Sequence, residues 1–284
     1  MIHPDYNSAK NLKEILDQNG FSMQKKFGQN FLINPDARKK LIDCLDINKN
    51  TKVWEIGPGL GAMTSEILER GADLTVFEID RGFISLISEF FKPYAEKNKF
   101  RIIEGDVLKN WKKEVEKGKP DRLFGNLPYN IAATIIADTI ENNIRFDKCL
   151  FTVQKEVAQR MCAKAGSEDY SSFSVLCNWA YDIKPLLDLN GNNFWPKPNV
   201  DSRAVIMTPK ENFPCCKEPE HFCKLQRALF SSRRKNVRNN LTGFIKNNDK
   251  ALEYLEKAQI DPTLRAEVLS IEQILHLSDI IISS

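Results

Sequence analysis

The sequence predicts an α/β fold: a mostly parallel sheet with helices on both faces, its last strand antiparallel, and a small all-helical region after it. Three observations carry this reading. Short apolar runs alternate with helical patterns between residues 52 and 153, the arrangement expected of βαβ units. Two later runs, residues 183–189 and 204–208, have no helix of useful length between them, which predicts a final antiparallel pair. After Pro209 the chain turns helical and basic.

Taken in order, residues 8–20 read as a short helix. Ser8 caps it, Leu12, Ile15 and Leu16 share one face, and Gly20 ends it. Lys25-Lys26-Phe27-Gly28-Gln29-Asn30-Phe31-Leu32 follows neither the helical nor the strand period. A second helix begins near Asn34-Pro35, with proline at an early position. Residues 52–56 form the first strand of the alternating region, and a Gly-rich turn leads to a helix through Met63, Ile67 and Leu68. Further strands are expected at 74–79, 101–104, 122–125 and 148–153, with helices around 83–91 and 131–140. Pro214, Cys215, Cys216 and Pro219 read as a linker. The boundary is therefore expected near residue 210, between a catalytic domain of residues 1–209 and a helical domain of residues 210–284.

A chain of 284 residues can bury one large core and a smaller one. Its apolar fraction of 42% and charged fraction of 28% are those of a soluble globular protein. No apolar run is long enough to span a bilayer, and Met1-Ile2-His3-Pro4 has no signal-peptide pattern. A cytoplasmic monomer with no membrane partner is expected. The seven cysteines include no Cys-x-x-Cys pair, which predicts reduced thiols. Cys215, Cys216 and Cys223 lie near His221, but their spacing matches no common zinc pattern, so no metal is expected.

Net charge is only +3, yet its distribution is uneven. Between residues 224 and 250 stand Lys224, Arg227, Arg233, Arg234, Lys235, Arg238, Lys246 and Lys250, against the single acid Asp249. Such an excess suits a phosphate-binding face, and on charge alone a solvated helix surface suits it equally.

The motifs supply the chemistry. Glu55-Ile56-Gly57-Pro58-Gly59-Leu60-Gly61 closes the first strand of the alternating region and opens the next helix. Glycines let this turn approach a ligand closely, while the proline removes an N–H that a pyrophosphate cradle would use. Glu78 ends the next strand, where a carboxylate can accept from both hydroxyls of a ribose. Asp106 follows the third and can accept from an adenine amine. Carboxylates at successive strand tips beside a glycine loop suit S-adenosylmethionine, whose sulfonium is cationic.

Asn126-Leu127-Pro128-Tyr129 follows the apolar run of residues 122–125. The Asn126 amide oxygen can accept from an exocyclic amine, Pro128 presents the Leu127 carbonyl as a second acceptor, and Tyr129 offers a stacking face. Asn-x-Pro-Tyr resembles the signature of amino-methyltransferases.

With these motifs in order the chain resembles the KsgA-type small-subunit ribosomal RNA adenine N6,N6-dimethyltransferases, which have a Rossmann-like class I methyltransferase sheet. Phe27-Gly28-Gln29-Asn30-Phe31-Leu32 is similar to the family's N-terminal cofactor motif, and Gln154-Lys155-Glu156-Val157-Ala158 to its segment after the fifth strand of the alternating region. Phe194-Trp195-Pro196-Lys197-Pro198-Asn199-Val200-Asp201-Ser202 is similar to its Phe-x-Pro-x-Pro-x-Val-Asp-Ser run. Arg233-Arg234-Lys235-Asn236-Val237-Arg238-Asn239-Asn240-Leu241 and Arg265-Ala266-Glu267-Val268-Leu269-Ser270 resemble motifs of its C-terminal domain.

The resemblance implies S-adenosylmethionine contacts from Asn30, Leu32, Gly57, Glu78, Asp106 and Asn126, with Gly59 and Gly61 completing the loop. It implies that two adjacent adenosines in the 3′-terminal hairpin of small-subunit rRNA, within a pre-30S particle, are each methylated twice. Tyr129 and Phe194 would stack on the two faces of the base, and Arg233, Arg234, Lys235 and Arg238 would bind RNA. Two departures stand out: Ala132 or Ala133 where the family has serine, and Ser171 where it has glycine. A macrolide-resistance type of methyltransferase acting on large-subunit rRNA is the near alternative, and a mainly nucleic-acid-binding factor the distant one.

Overall fold

The computed structural model describes residues 4–21, 30–127 and 131–284. Its strands are β1 (Phe31–Leu32), β2 (Lys52–Ile56), β3 (Asp73–Glu78), β4 (Phe100–Glu104), β5 (Arg122–Asn126), β6 (Lys148–Gln154), β7 (Tyr181–Leu189), β8 (Phe194–Trp195) and β9 (Ser202–Pro209). The helices of the first half are α1 (Ala9–Gln18), α2 (Pro35–Asp43), α3 (Ala62–Glu69), α4 (Arg81–Phe90), α5 (Lys92–Ala95), α6 (Val107–Glu116) and α7 (Ala132–Glu141). Then come α8 (Lys155–Cys162), α9 (Ser172–Ala180), α10 (Pro219–Leu229), α11 (Val237–Ile245), α12 (Asn248–Lys257) and α13 (Ile271–Ile282).

Seven strands form one sheet in the order β4-β3-β2-β5-β6-β9-β7, and β1 pairs with β8 in a separate ribbon. The β4-to-β6 portion is parallel throughout, and β9 runs antiparallel to β6. Successive residues of β2 and β6 are buried without alternation, as a sheet covered on both faces requires. Strand order reverses between β2 and β5, since β3 and β4 build outward on one side and β5 and β6 on the other. Such a switch point opens a crevice at the carboxyl ends of the strands, where α/β folds bind ligands.

The helices expected from the N-terminal half form as their caps dictate. Ser8 Oγ accepts from Asn11 N at 3.2 Å, and Asn34 caps α2 with Pro35 at the start. Among the helices that the sequence reading did not anticipate are α6 and α9. In α6 only Val107, Trp111 and Glu114 are buried, so the apolar stripe is two residues wide. In α9 residues 173–180 are all buried, and a helix buried all round shows no amphipathic period.

The chain divides into two compact units: Met1–Ala132, Phe146–Ala158 and Lys184–Thr208 form the first, and Ala133–Arg145, Gln159–Ile183 and Pro209–Ser284 the second. The second unit thus takes in two segments that precede residue 209. Leu41, Val53, Ile67, Val76 and Ile87 are fully buried in the first, and Phe222, Leu229, Leu241, Leu255 and Leu277 in the second. Among the described residues no helix is long and apolar enough to cross a membrane.

Candidate active site

Sheet register brings Gly57, Glu78 and Asn126 into one row. Glu78 ends β3 opposite Glu104, Ile56 ends β2 beside Phe77 and Gly125, and Asn126 ends β5 opposite Thr152. Gly57 N donates to Phe77 O at 2.9 Å, which carries the ladder one residue past β2. The glycine loop, Glu78 and Asn126 therefore share the carboxyl edge at the switch point.

The loop turns sharply. Gly57, Gly59 and Gly61 have φ of 69°, 56° and 90°, a region that side-chain-bearing residues enter at a cost. Packing sharpens the requirement. A Cβ on Gly59 would lie 2.8 Å from Phe31 Cε1, and one on Gly61 would lie 2.5 Å from Phe91 Cε2. Tyr6 adds an anchor, its hydroxyl donating to Leu60 O at 3.0 Å. Two of the glycines thus make room for the protein's own aromatic rings.

The Glu78 carboxylate accepts three main-chain N–H groups: Ile79 at 2.8 Å, Asp80 at 2.9 Å and Gly59 at 3.2 Å. A carboxylate has about four lone-pair positions, so roughly one remains open. Burial pushes its pKa up, and the three N–H donors oppose that shift. Asp106 caps α6, its Oδ1 accepting from Leu108 N at 3.0 Å. Its other oxygen has no partner among the described residues. These acceptors fit a cationic ligand carrying hydroxyl and amine donors.

Glu55 is a further acid at this edge for which sequence reasoning assigned no role. Its side chain is only 1% exposed, and it accepts from Thr64 Oγ1 at 2.7 Å. Burial pushes its pKa up to about 8, the Thr64 bond opposing. Glutamate inside a strand, with a threonine nine residues on at the start of a helix, was the available signal. Thr152, opposite Asn126, carries a buried hydroxyl with no partner among the described residues.

Asn126 is half-buried, and its Nδ2 donates to Asn30 O at 3.0 Å. Leu127 is buried, and its N donates to Thr152 O at 3.1 Å. Gly125 permits that seat, because a Cβ there would fall 2.5 Å from Leu127 Cδ2. Pro128 and Tyr129, with their expected turn and stacking roles, lie outside the described residues, as does Phe27-Gly28-Gln29.

Leu32, like Phe194, lies in the core. The side chain of Leu32 is covered, and its carbonyl accepts from Arg38 Nη1 at 3.0 Å. Phe194 pairs with Leu32 across the β1–β8 ribbon and is 4% exposed. The expected open stacking face is therefore a packed ring in this structure, and a base could reach it only if the ring were uncovered. Its half-buried neighbour Trp195 stacks on Phe31, with centroids 6.1 Å apart and an interplanar angle of 26°.

In the second unit the basic run precedes α11. Arg233 donates to Glu168 O at 2.8 Å and pairs with Glu267 at 3.5 Å, while Arg238 Nε donates to Asn248 Oδ1 at 2.9 Å. Arg234 and Lys235 are exposed, with no side-chain partner among the described residues. Among those residues, no group of three or more His, Cys, Asp or Glu is arranged to hold a metal. His221 instead bonds Ser278 Oγ through Nδ1 at 2.9 Å.

A mostly parallel sheet with a glycine loop at its switch point and an antiparallel last strand defines a Rossmann-like methyltransferase that uses S-adenosylmethionine. The model of the ribosomal RNA adenine dimethylase family matches residues 20–283, and the chain belongs to that family. A relative from Treponema denticola named ribosomal RNA small subunit methyltransferase A is 50% identical over 282 residues, covering 98% of this chain and 96% of that protein. The crystal structure of a dimethyladenosine transferase from Plasmodium falciparum matches with a TM-score of 0.72 at 27% identity, over 86% of this chain and 94% of that one. The 23S rRNA methyltransferase ErmE matches with a TM-score of 0.62 at 17% identity, over 88% and 98%. At that identity it shares the fold alone.

Proposed function

We propose that this chain transfers methyl groups from S-adenosylmethionine to N6 of two adjacent adenosines in the 3′-terminal hairpin loop of small-subunit rRNA, each to the dimethyl state. The observation that carries the reading is the row of Gly57, Glu78 and Asn126 along one sheet edge, in a chain of the ribosomal RNA adenine dimethylase family. Identity of 50% to a relative named for the small subunit favours that substrate over large-subunit rRNA. We assign catalysis to the first unit and rRNA binding to the second, with a pre-30S particle as substrate and a cytoplasmic monomer as the working form. Tritiated methyl transfer onto unmethylated small subunits, with mapping of the labelled bases, tests it. Label confined to large-subunit rRNA would overturn it.

When bound, S-adenosylmethionine supplies an electrophilic methyl group. Asn30, Leu32, Gly57, Gly59, Gly61, Glu78, Asp106 and Asn126 would hold it, Glu78 facing the ribose and Asp106 the adenine. The Asn126 oxygen and the Leu127 carbonyl then accept from the target N6–H groups. Those bonds draw the nitrogen lone pair out of the ring and aim it, and most of the acceleration is positional. The alkylated amine is acidic enough to release its proton to water.

Glu78→Ala is expected to weaken S-adenosylmethionine binding by roughly 1.5–3 kcal/mol, the scale for losing hydrogen bonds to a charged group. Calorimetry measures it, and unchanged affinity would remove Glu78 from the site. In the second unit, alanine at Arg233, Arg234 and Lys235 together should weaken binding to small subunits. Its salt dependence should flatten by about one unit of slope for each phosphate no longer neutralised. Cofactor affinity should not change. Since Arg234 and Lys235 are unpaired among the described residues, the double variant should carry most of the effect.

A further inference from the structure

We infer that the main-chain carbonyl of Asn30 selects the amide rotamer of Asn126, and so decides which of its polar atoms faces the substrate amine. An asparagine side chain ends in an oxygen and an NH2 of nearly equal size, exchanged by a half-turn about its last bond. Opposite a carbonyl oxygen the two choices are unequal. The NH2 donates to it, whereas the reversed amide sets lone pair against lone pair. The 3.0 Å bond from Asn126 Nδ2 to Asn30 O therefore turns Oδ1 the other way. A reversed amide would offer donors to an adenine N6 that has only donors to give.

The segment that follows Asn30 is held from several sides. Phe31 and Leu32 pair with Trp195 and Phe194, and Ile33 N donates to Asn193 O at 2.9 Å. Arg38, 5% exposed, donates to Leu32 O at 3.0 Å, to Tyr6 O at 3.3 Å and to Asn7 Oδ1 at 2.6 Å, and pairs with Glu66 at 3.2 Å. Asn30 is thus a positioning residue that acts through its backbone, and Arg38 a second that steadies the strand carrying it. Because the acceptor is main chain, a change of side chain at residue 30 does not erase it.

This inference rests on the reading of Asn126 as the amine's acceptor, and two measurements separate them. In the parent chain, the Asn126 side-chain NH2 signal is assigned by its loss in Asn126→Asp. One of its protons should exchange slowly with D2O; fast exchange of both overturns the inference. Methyl transfer by Asn126→Asp is then followed between about pH 8 and about pH 6. A carboxylate there repels the Asn30 carbonyl, so the rate near pH 8 should be at least tenfold below the parent's. Its acid form can donate to Asn30 O while the second oxygen accepts from the amine. The rate relative to the parent should therefore rise about tenfold for each unit that pH falls toward the carboxyl pKa. Parent-like transfer near pH 8 with no gain in acid overturns the inference. If the slow proton is present but Asn126→Ala methylates at the parent's rate, the catalytic reading of Asn126 fails, and the facing of Oδ1 falls with it.

Discussion

Asn126→Ala is expected to lower the rate of methyl transfer at saturating cofactor by about 10²–10³-fold, the range measured when one preorganised polar group at a reacting centre is removed. The residue ends β5 beside the glycine loop, where its amide is half-buried and already bonded to Asn30 O. Alanine removes the acceptor that aims the amine and leaves the Leu127 carbonyl as the remaining one. Some loss of cofactor affinity should accompany it, because the same amide is assigned a place beside the sulfonium. Single-turnover transfer with enzyme in excess separates the two effects. A variant that matches the parent in that assay would move the acceptor role elsewhere on the sheet edge.

Glu55→Gln should make the fold more stable in neutral and mildly alkaline solution, by a margin that grows with pH. Glu55 ionises near 4.5 in an unfolded chain and near 8 in the fold, where burial disfavours its charge. Between those values the native state keeps a proton that the unfolded state has released. Its contribution is fully present below 4.5 and is lost as pH rises to about 8, by roughly 1 kcal/mol per pH unit. Glutamine still accepts from the Thr64 hydroxyl and has no proton to lose. Denaturant or thermal unfolding at several pH values reads the difference. A margin that stays constant from about pH 5 to about pH 8 would show that Glu55 folds with its charge.

Much of this architecture was legible because parallel strands are buried on both faces. The run at residues 52–56 is β2 itself, and the other expected strands are found within two residues of their predicted ends. Glu78 and Asn126 were legible for the same reason, since a polar residue closing such a run sits at a strand tip, and Asp106 follows β4 two residues on as the cap of α6. What escaped was short or uniformly buried. β1 and β8 are two residues each, too short for any period, and they pair across more than 160 residues of chain. Phe194 was read as a ring that stacks on the base, and β8 carries it into the core. Glu55 was read as part of a motif, and only the covering of β2 on both sides shows that its carboxyl is sealed from water. The basic run was visible as composition. That Arg233 is tied to Glu168, 65 residues away, while Arg234 and Lys235 have no side-chain partner among the described residues, could not be read from the local sequence.

The β1–β8 ribbon also sets an order of events during translation. The glycine loop, both strand-tip carboxylates and Asn126 have all been synthesised by residue 126, and β1 earlier still. The strand that pairs with β1, β8, is complete only when residues 194 and 195 have been joined to the nascent protein. Domains fold as units during synthesis, and the first unit reaches to Thr208, so β2 to β5 emerge well before the segment that completes it. A product truncated between residues 127 and 193 would carry Gly57, Glu78, Asp106 and Asn126, and would lack β8, the partner of the strand that follows Asn30.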